Sequence, residues 1–332
     1  MGEIVFDLPD TGKVFAIGAN AGYLRHFVRE FVREGGAPSR VVVIRDARLC
    51  PKPLCADIGG IIEHAVEADG LGDVIAALRP PAGSIGCVFA WHRLIPTSVI
   101  EALAGGLYNL HYGDLPRYRG AGGGSWQVLN GETDIKSFIH VMTRDLDRGD
   151  VLMHESEPFG TDEPYPRHVK DAAARASLRL ITRLAALMHA GGSVATAEQD
   201  EDAALYFPRL DTAGNGWIDF SWPAADILRF VRAFSDPYPG ASFRYRDACY
   251  RVRGAKLRSS DALHPFCAGL IVNRTLEGLH VAAKDGVMVF SGLHAEDGVA
   301  CVPEAFRVGG RLWTSPEDLL SALRLRPGFS MR

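Results

Sequence analysis

Short apolar runs alternate with amphipathic stretches through the first half of the chain. The alternation predicts strands followed by helices. Residues 13–17 (KVFAI) are apolar and end in the glycine-containing turn 18–22 (GANAG), after which residues 23–34 place apolar side chains at helical spacing and stop at Gly35-Gly36. Strand, glycine turn and glycine-terminated helix form the first part of a βαβ unit, and residues 40–44 (RVVVI) supply its second, buried-type strand. GANAG lacks the full spacing of a dinucleotide fingerprint, and Asp46 is the acidic residue that follows the second strand. The turn therefore reads as a packing device. Residues 46–57 hold two prolines and read as a surface loop, residues 58–78 as a helix in two pieces broken near Gly70, and residues 85–91 (IGCVFAW) as a third buried strand. Pro96 opens a helix to Leu103, and Gly105-Gly106 end it. Residues 134–142 (DIKSFIHVM) and 151–154 are strand-like, and residues 166–190 form a long amphipathic pattern.

Residues 191–204 (GGSVATAEQDEDAA) have almost no aliphatic bulk, a composition that suits a linker. Beyond them Ser221 can cap a helix through Phe234 that stops at residues 236–240 (DPYPG). The period then changes. Runs at residues 242–245, 250–257, 269–272, 278–282 and 286–290 are separated by turn residues and predict a small barrel or sandwich of hairpins, with one more helix over residues 316–325. The expected division is a catalytic unit over residues 1–204 and a smaller β unit over residues 205–332.

Composition narrows this picture only modestly. With 332 residues, 47% hydrophobic and 23% charged, the chain is long enough for two cores and has ordinary soluble composition. A net charge of -4 argues against clamping a large polyanion over the whole surface. Six cysteines without a CxxC pair argue against a zinc site, so no metal is expected. The chain shows neither a signal-peptide pattern nor an apolar run of bilayer length, and the expected location is the reducing cytoplasm, with no membrane partner.

Candidate chemistry concentrates in residues 107–150. Asn109 and His111 are two apart, so on a strand their side chains leave the same face. Asp147 lies in a short polar turn after an apolar run, where a loop can deliver a carboxylate to a neighbouring strand end. An amide, an imidazole and a carboxylate are a complete set for acyl transfer. Each alone has a commoner role: Asn109 capping a turn, His111 as a satisfied core histidine, Asp147 forming an Asx-turn.

These residues sit in a longer signature: Asn109-Leu110-His111, Leu115-Pro116-Arg117-Tyr118-Arg119-Gly120, Asn130-Gly131-Glu132, Ile139-His140 and Leu146-Asp147-Arg148-Gly149-Asp150. In that order and spacing the chain resembles the formyltransferases that use 10-formyltetrahydrofolate. Residues 234–241 (FSDPYPGA) resemble the entry to the C-terminal domain of methionyl-tRNA formyltransferase and of a sugar-nucleotide formyltransferase. The resemblance implies an α/β fold, a doubly wound Rossmann-like core followed by an OB-like β-barrel, and it makes Asn109, His111 and Asp147 catalytic. It further implies that Ala90, His92, Arg93, Leu94 and Ile95 hold the folate donor, with Asp145 and Leu146 closing over it. His140 is grouped with them, and either supports His111 or fills a strand position. Gly123, Trp126, Arg117 and Arg119 are the candidate substrate side, although Trp126 is by base rate a core residue and both arginines read first as loop anchors. Asp147 is expected to raise the pKa of His111.

Two departures from the relatives fall where the amine would approach: Gly113-Asp114 replaces a usual Ser-Leu, and Gly122-Gly123-Gly124 replaces bulkier residues. The expected acceptor is a small primary amine, foremost an amino sugar linked to a nucleotide. Methionyl-tRNA is the alternative, and a non-catalytic folate- or nucleotide-binding protein ranks third, because a binding module has no use for donors aimed at an oxyanion. A homo-oligomer is compatible with all three.

Overall fold

The computed structural model describes residues 2–67 and 69–325. In chain order the first part runs β1 (Gly2–Phe6), β2 (Val14–Gly18), α1 (Ala21–Arg33), β3 (Val41–Asp46), β4 (Ile62–Val66), α2 (Leu71–Leu78), β5 (Ile85–Phe89) and α3 (Thr97–Ala102). It continues through β6 (Leu107–Tyr112), β7 (Arg119–Gly120), α4 (Ser125–Leu129), β8 (Asp134–Val141), β9 (Val151–Pro158), α5 (Pro166–Ala190) and β10 (Gly192–Thr196). Seven strands form one sheet in the order β4-β3-β2-β5-β6-β8-β9, parallel from β4 to β6 and antiparallel at β8 and β9. Both faces are covered, as a parallel sheet requires. Along β2 the side chains alternate: Val14 and Ala16 pack with Phe27 and Phe31 of α1 and Leu180 and Leu184 of α5, whereas Phe15 and Ile17 pack with Leu71, Ile75 and Val99 of α2 and α3.

Two sequence expectations fail here. The first half of the expected 58–78 helix is the edge strand β4, although Ile58, Ile61, Ile62, Ala65 and Val66 carry helical spacing. Long-range pairing wins over local pattern: β4 runs beside β3, and Glu63 is fixed by Arg45 at 2.6 Å and by the Leu54 amide at 2.9 Å. Nor is the 191–204 segment a solvated tether. Its first half is β10, paired antiparallel with the unanticipated β1, and its Thr196 and Gln199 are buried.

The remaining elements are β11 (Tyr206–Phe207), α6 (Thr212–Asn215), α7 (Ala224–Ala233), β12 (Ala241–Tyr245), β13 (Ala248–Ser259), β14 (Ile271–Thr275), β15 (Gly278–Ala283), β16 (Gly286–Ala295), β17 (Leu312–Trp313) and α8 (Pro316–Ala322). The five runs expected to be strands overlap β12 to β16, although β14 begins two residues later than the expected 269–272 run and extends to Thr275. They form an antiparallel sheet in the order β14-β15-β16-β13-β12-β17. Leu270 and Arg311 bridge its two edges, so the sheet rolls up on itself. Its core is continuous with the first part: Val128, Phe159, Val169 and Ala173 pack in one cluster with Ile227, Val231, Phe243 and Phe290. Among the described residues, no helix is long and apolar enough to cross a membrane.

Candidate active site

Asn109 and His111 leave the same face of β6, as their spacing requires, and β8 runs antiparallel beside them. Register places His140 directly opposite Asn109. The Asn109 amide nitrogen lies 3.1 Å from His140 Nε2, and His140 Nδ1 lies 2.9 Å from the Val141 carbonyl. The carbonyl can only accept, so Nδ1 carries the proton, Nε2 accepts, and Asn109 must turn its NH₂ toward the histidine. One amide N–H is thereby held and the other is left to donate. His140 thus orients Asn109, and its ring centroid is 6.3 Å from that of His111.

The β8–β9 turn delivers Asp147. This residue sits at φ +54°, in the left-handed region, where a carboxylate side chain is better tolerated than a bulky one. Gly149 makes the turn possible, because a Cβ there would lie 1.9 Å from the Val141 carbonyl oxygen. Asp147 Oδ2 accepts from the Gly120 N–H at 2.9 Å and stands 3.7 Å from His111 Nδ1, while Oδ1 is 3.6 Å from His140 Nε2. His111 Nε2 donates to the Tyr118 carbonyl at 2.7 Å. Gly113 allows that bond, since a Cβ at this position would lie 2.9 Å from both Nε2 and the carbonyl oxygen.

Burial is the largest influence on His111 and lowers its pKa below the ordinary imidazole value, although Asp147 and the Tyr118 carbonyl pull the other way. The expected net rise does not occur: removing the imidazolium from water outweighs one carboxylate at 3.7 Å. For Asp147 burial alone would raise the pKa, but His111, His140 and the Gly120 amide together hold it well below the usual carboxylate range. Burial favours a neutral His111, and Asp147 is ionised with the Gly120 amide as its standing donor.

These side chains line a cavity of about 470 Å³. Ala90, His92, Arg93, Leu94 and Ile95 line it, as do Asp145 and Leu146. Gly123 and Trp126 form another wall; the Trp126 indole N–H is anchored on the Pro208 carbonyl at 2.7 Å. Arg117 and Arg119, expected on the substrate side, do not line this cavity. Arg117 faces Glu132 at 3.2 Å, and Arg119 is buried against Gln199 and Glu201. Tyr112, Lys170, Arg209, Leu210 and Tyr238 also line the cavity. Sequence reasoning missed them, because Lys170 lies on a helix read as packing and the last three follow the segment read as a linker. Among the described residues, no group of His, Cys, Asp and Glu is placed to hold a metal ion.

The chain matches the family model described as "Formyl transferase" over residues 64–174 and "Formyl transferase, C-terminal domain" over residues 212–309. It is 32% identical over 215 residues to a methionyl-tRNA formyltransferase of Roseiflexus castenholzii, covering 65% of this chain and 66% of that one. To the methionyl-tRNA formyltransferase of Bordetella petrii it is 30% identical over 254 residues, covering 74% and 78%. Solved structures share the fold at low identity. An N-formyltransferase from Helicobacter canadensis in complex with folinic acid and dTDP-3-aminofucose superposes with a TM-score of 0.64 at 15% identity, over 84% of this chain and 98% of that one. A 4-N formyltransferase from Francisella tularensis gives 0.54 at 18% identity, over 70% and 93%. With both family models matched in order, and with relatives aligned across the catalytic stretch, the chain belongs to the formyl transferase family.

Proposed function

We propose that the protein moves the formyl group of 10-formyltetrahydrofolate to the primary amine of a small acceptor, an amino sugar carried on a nucleotide. The observation that carries the reading is the convergence of Asn109, His111 and Asp147, from a strand and a distant turn, in one cavity where burial lowers the imidazole pKa and the carboxyl is held well below its usual range. The amine attacks the formyl carbon, and the carbonyl oxygen becomes an oxyanion facing the free N–H of Asn109. The amine must then lose a proton. His111 Nδ1, which faces Asp147 rather than a carbonyl, receives it, and the resulting imidazolium is stabilised by the carboxylate. As the tetrahedral adduct collapses, the same proton passes to N10 of the folate, which leaves as a neutral amine. One N–H bond is lost on the acceptor and one is gained on the donor, so the reaction balances without a further reactant.

The 90–95 loop, together with Asp145 and Leu146, is assigned to the folate, and Gly123 and Trp126 to the acceptor. A small acceptor is supported by the sugar N-formyltransferases that share the fold and by the net charge of -4, which does not favour wrapping a nucleic acid. Methionyl-tRNA is the second reading, because the sequence relatives are named for it. The rolled six-stranded sheet is read as an OB-like barrel. Incubation with 10-formyltetrahydrofolate and a panel of nucleotide-linked amino sugars is expected to release tetrahydrofolate with at least one of them. Turnover confined to charged initiator tRNA would put the second reading first.

A further inference from the structure

Asp147 is held from two sides, and one of the holding groups lies outside the catalytic signature. Gln199, in the segment after β10, is 7% exposed. Its Nε2 donates to the Asp147 carbonyl at 2.7 Å and to the Gly149 carbonyl at 2.8 Å. Its Oε1 accepts from Arg119 Nη2 at 2.9 Å and Nε at 3.2 Å. Arg119 is fixed in turn by Glu201 at 2.7 and 3.0 Å, and Glu201 also pairs with Arg148 at 3.0 Å. Arg119 directly precedes Gly120, whose N–H holds the Asp147 carboxylate. The backbone of Asp147 is therefore fixed through Gln199, and its side chain through the strand that Arg119 anchors.

We propose that Gln199 is a positioning residue for formyl transfer: with Arg119 and Glu201 it latches the 145–149 turn and so sets the Asp147 carboxylate against His111. The proposal rests on Asp147 being the catalytic carboxylate. Two features call for such a latch. Asp147 is in the left-handed region, a conformation that persists only when its surroundings hold it. The carbonyls of the buried residues 147 and 149 need donors. A primary amide is the neutral side chain that donates to two carbonyls while accepting from a guanidinium; a carboxylate at the same place would turn lone pairs toward both carbonyls.

The decisive readout needs no acceptor. In the full-length chain, the His111 ring is titrated by NMR in wild type, Gln199→Met and Gln199→Glu. Loss of the latch lets the Asp147 carboxylate drift from the ring, so the His111 pKa is expected to fall further in Gln199→Met. Gln199→Glu keeps the volume and the Arg119 pairing, and is expected to show a displaced titration even if the Met variant folds poorly. With whichever nucleotide-linked amino sugar of the panel the wild type formylates as acceptor, turnover should drop about ten- to a hundredfold while the KM for 10-formyltetrahydrofolate stays within about threefold. A wild-type His111 titration in either folded variant overturns the proposal, whatever happens to Tm. Asp147→Asn separates the two ideas: full turnover in that variant would remove the catalytic reading of Asp147 and leave the latch to be judged by the titration alone.

Discussion

At the scale of single residues, the site turns on where protons sit. His140 can accept from Asn109 only because its own Nδ1–H is committed to the Val141 carbonyl. Asn109→Ala is expected to lower kcat by about 10²–10³ with little change in donor KM, as for other oxyanion donors. His140→Phe should keep the ring volume and lose part of that factor, because the amide is then free to rotate; His140→Gln should recover some of it. Stopped-flow turnover of the two variants side by side checks the ordering. The neutral His111 sets the pH response. Its folded pKa is lowered, so its contribution to stability is fully present above the unfolded value of about 6.5 and is lost as pH falls from there through the folded value. His111→Phe should flatten the decline of Tm between about pH 7 and 5 relative to wild type, and wild-type kcat should fall on the same acid side as the base becomes protonated. A His111→Phe chain that lost Tm as steeply as wild type would contradict a buried neutral imidazole.

At the scale of elements, strand register and tight turns do the positioning. The β6–β8 pairing puts Asn109 opposite His140, and a one-residue slip of β8 would turn His140 to the far face of the sheet and leave Asn109 without it. The glycines of the central stretch have separate physical reasons. Gly149→Ala drives a Cβ into the Val141 carbonyl and is expected to cost about 1–3 kcal/mol by denaturant unfolding, with loss of turnover. Gly123 abuts the Tyr112 ring, where a Cβ would lie 2.6 Å from Cε2, so Gly123→Ala must shift a cavity wall and should raise acceptor KM more than donor KM. Gly124 has open space beside it and a φ of +64°, so Gly124→Ala should cost about 1 kcal/mol through backbone conformation alone. This is also the scale at which the sequence was most and least legible. Buried parallel strands announce themselves by apolar runs, and Asn109-x-His111 announces one face. The edge strand β4 does not, because its apolar positions continue a helical spacing begun at Ile58 and Ile61, and only its pairing with β3 decides otherwise. Composition hid Gln199, since a polar side chain with buried partners looks like a solvated one until those partners are in place.

At the scale of the whole molecule, the two halves are neither separate in core nor separate in site. Val128, Phe159 and Val169 share a cluster with Ile227, Phe243 and Phe290, and Ser125 Oγ donates to the Ala233 carbonyl at 2.7 Å. A fragment ending at residue 204 would expose that cluster to water. It is expected to lack a cooperative thermal transition by circular dichroism, whereas the full chain should unfold in one.

Arg209, Leu210 and Tyr238 wall the cavity from beyond residue 204, while Asn109, His111 and Asp147 all precede it. Ancestral recombination at that point would have exchanged part of the cavity wall while leaving the reacting groups untouched. A chimera that keeps residues 1–204 and takes the remainder from a relative with a compatible core should accordingly shift toward the relative's acceptor. In such a lineage the half that carries none of the three chemical groups can still redirect the chemistry.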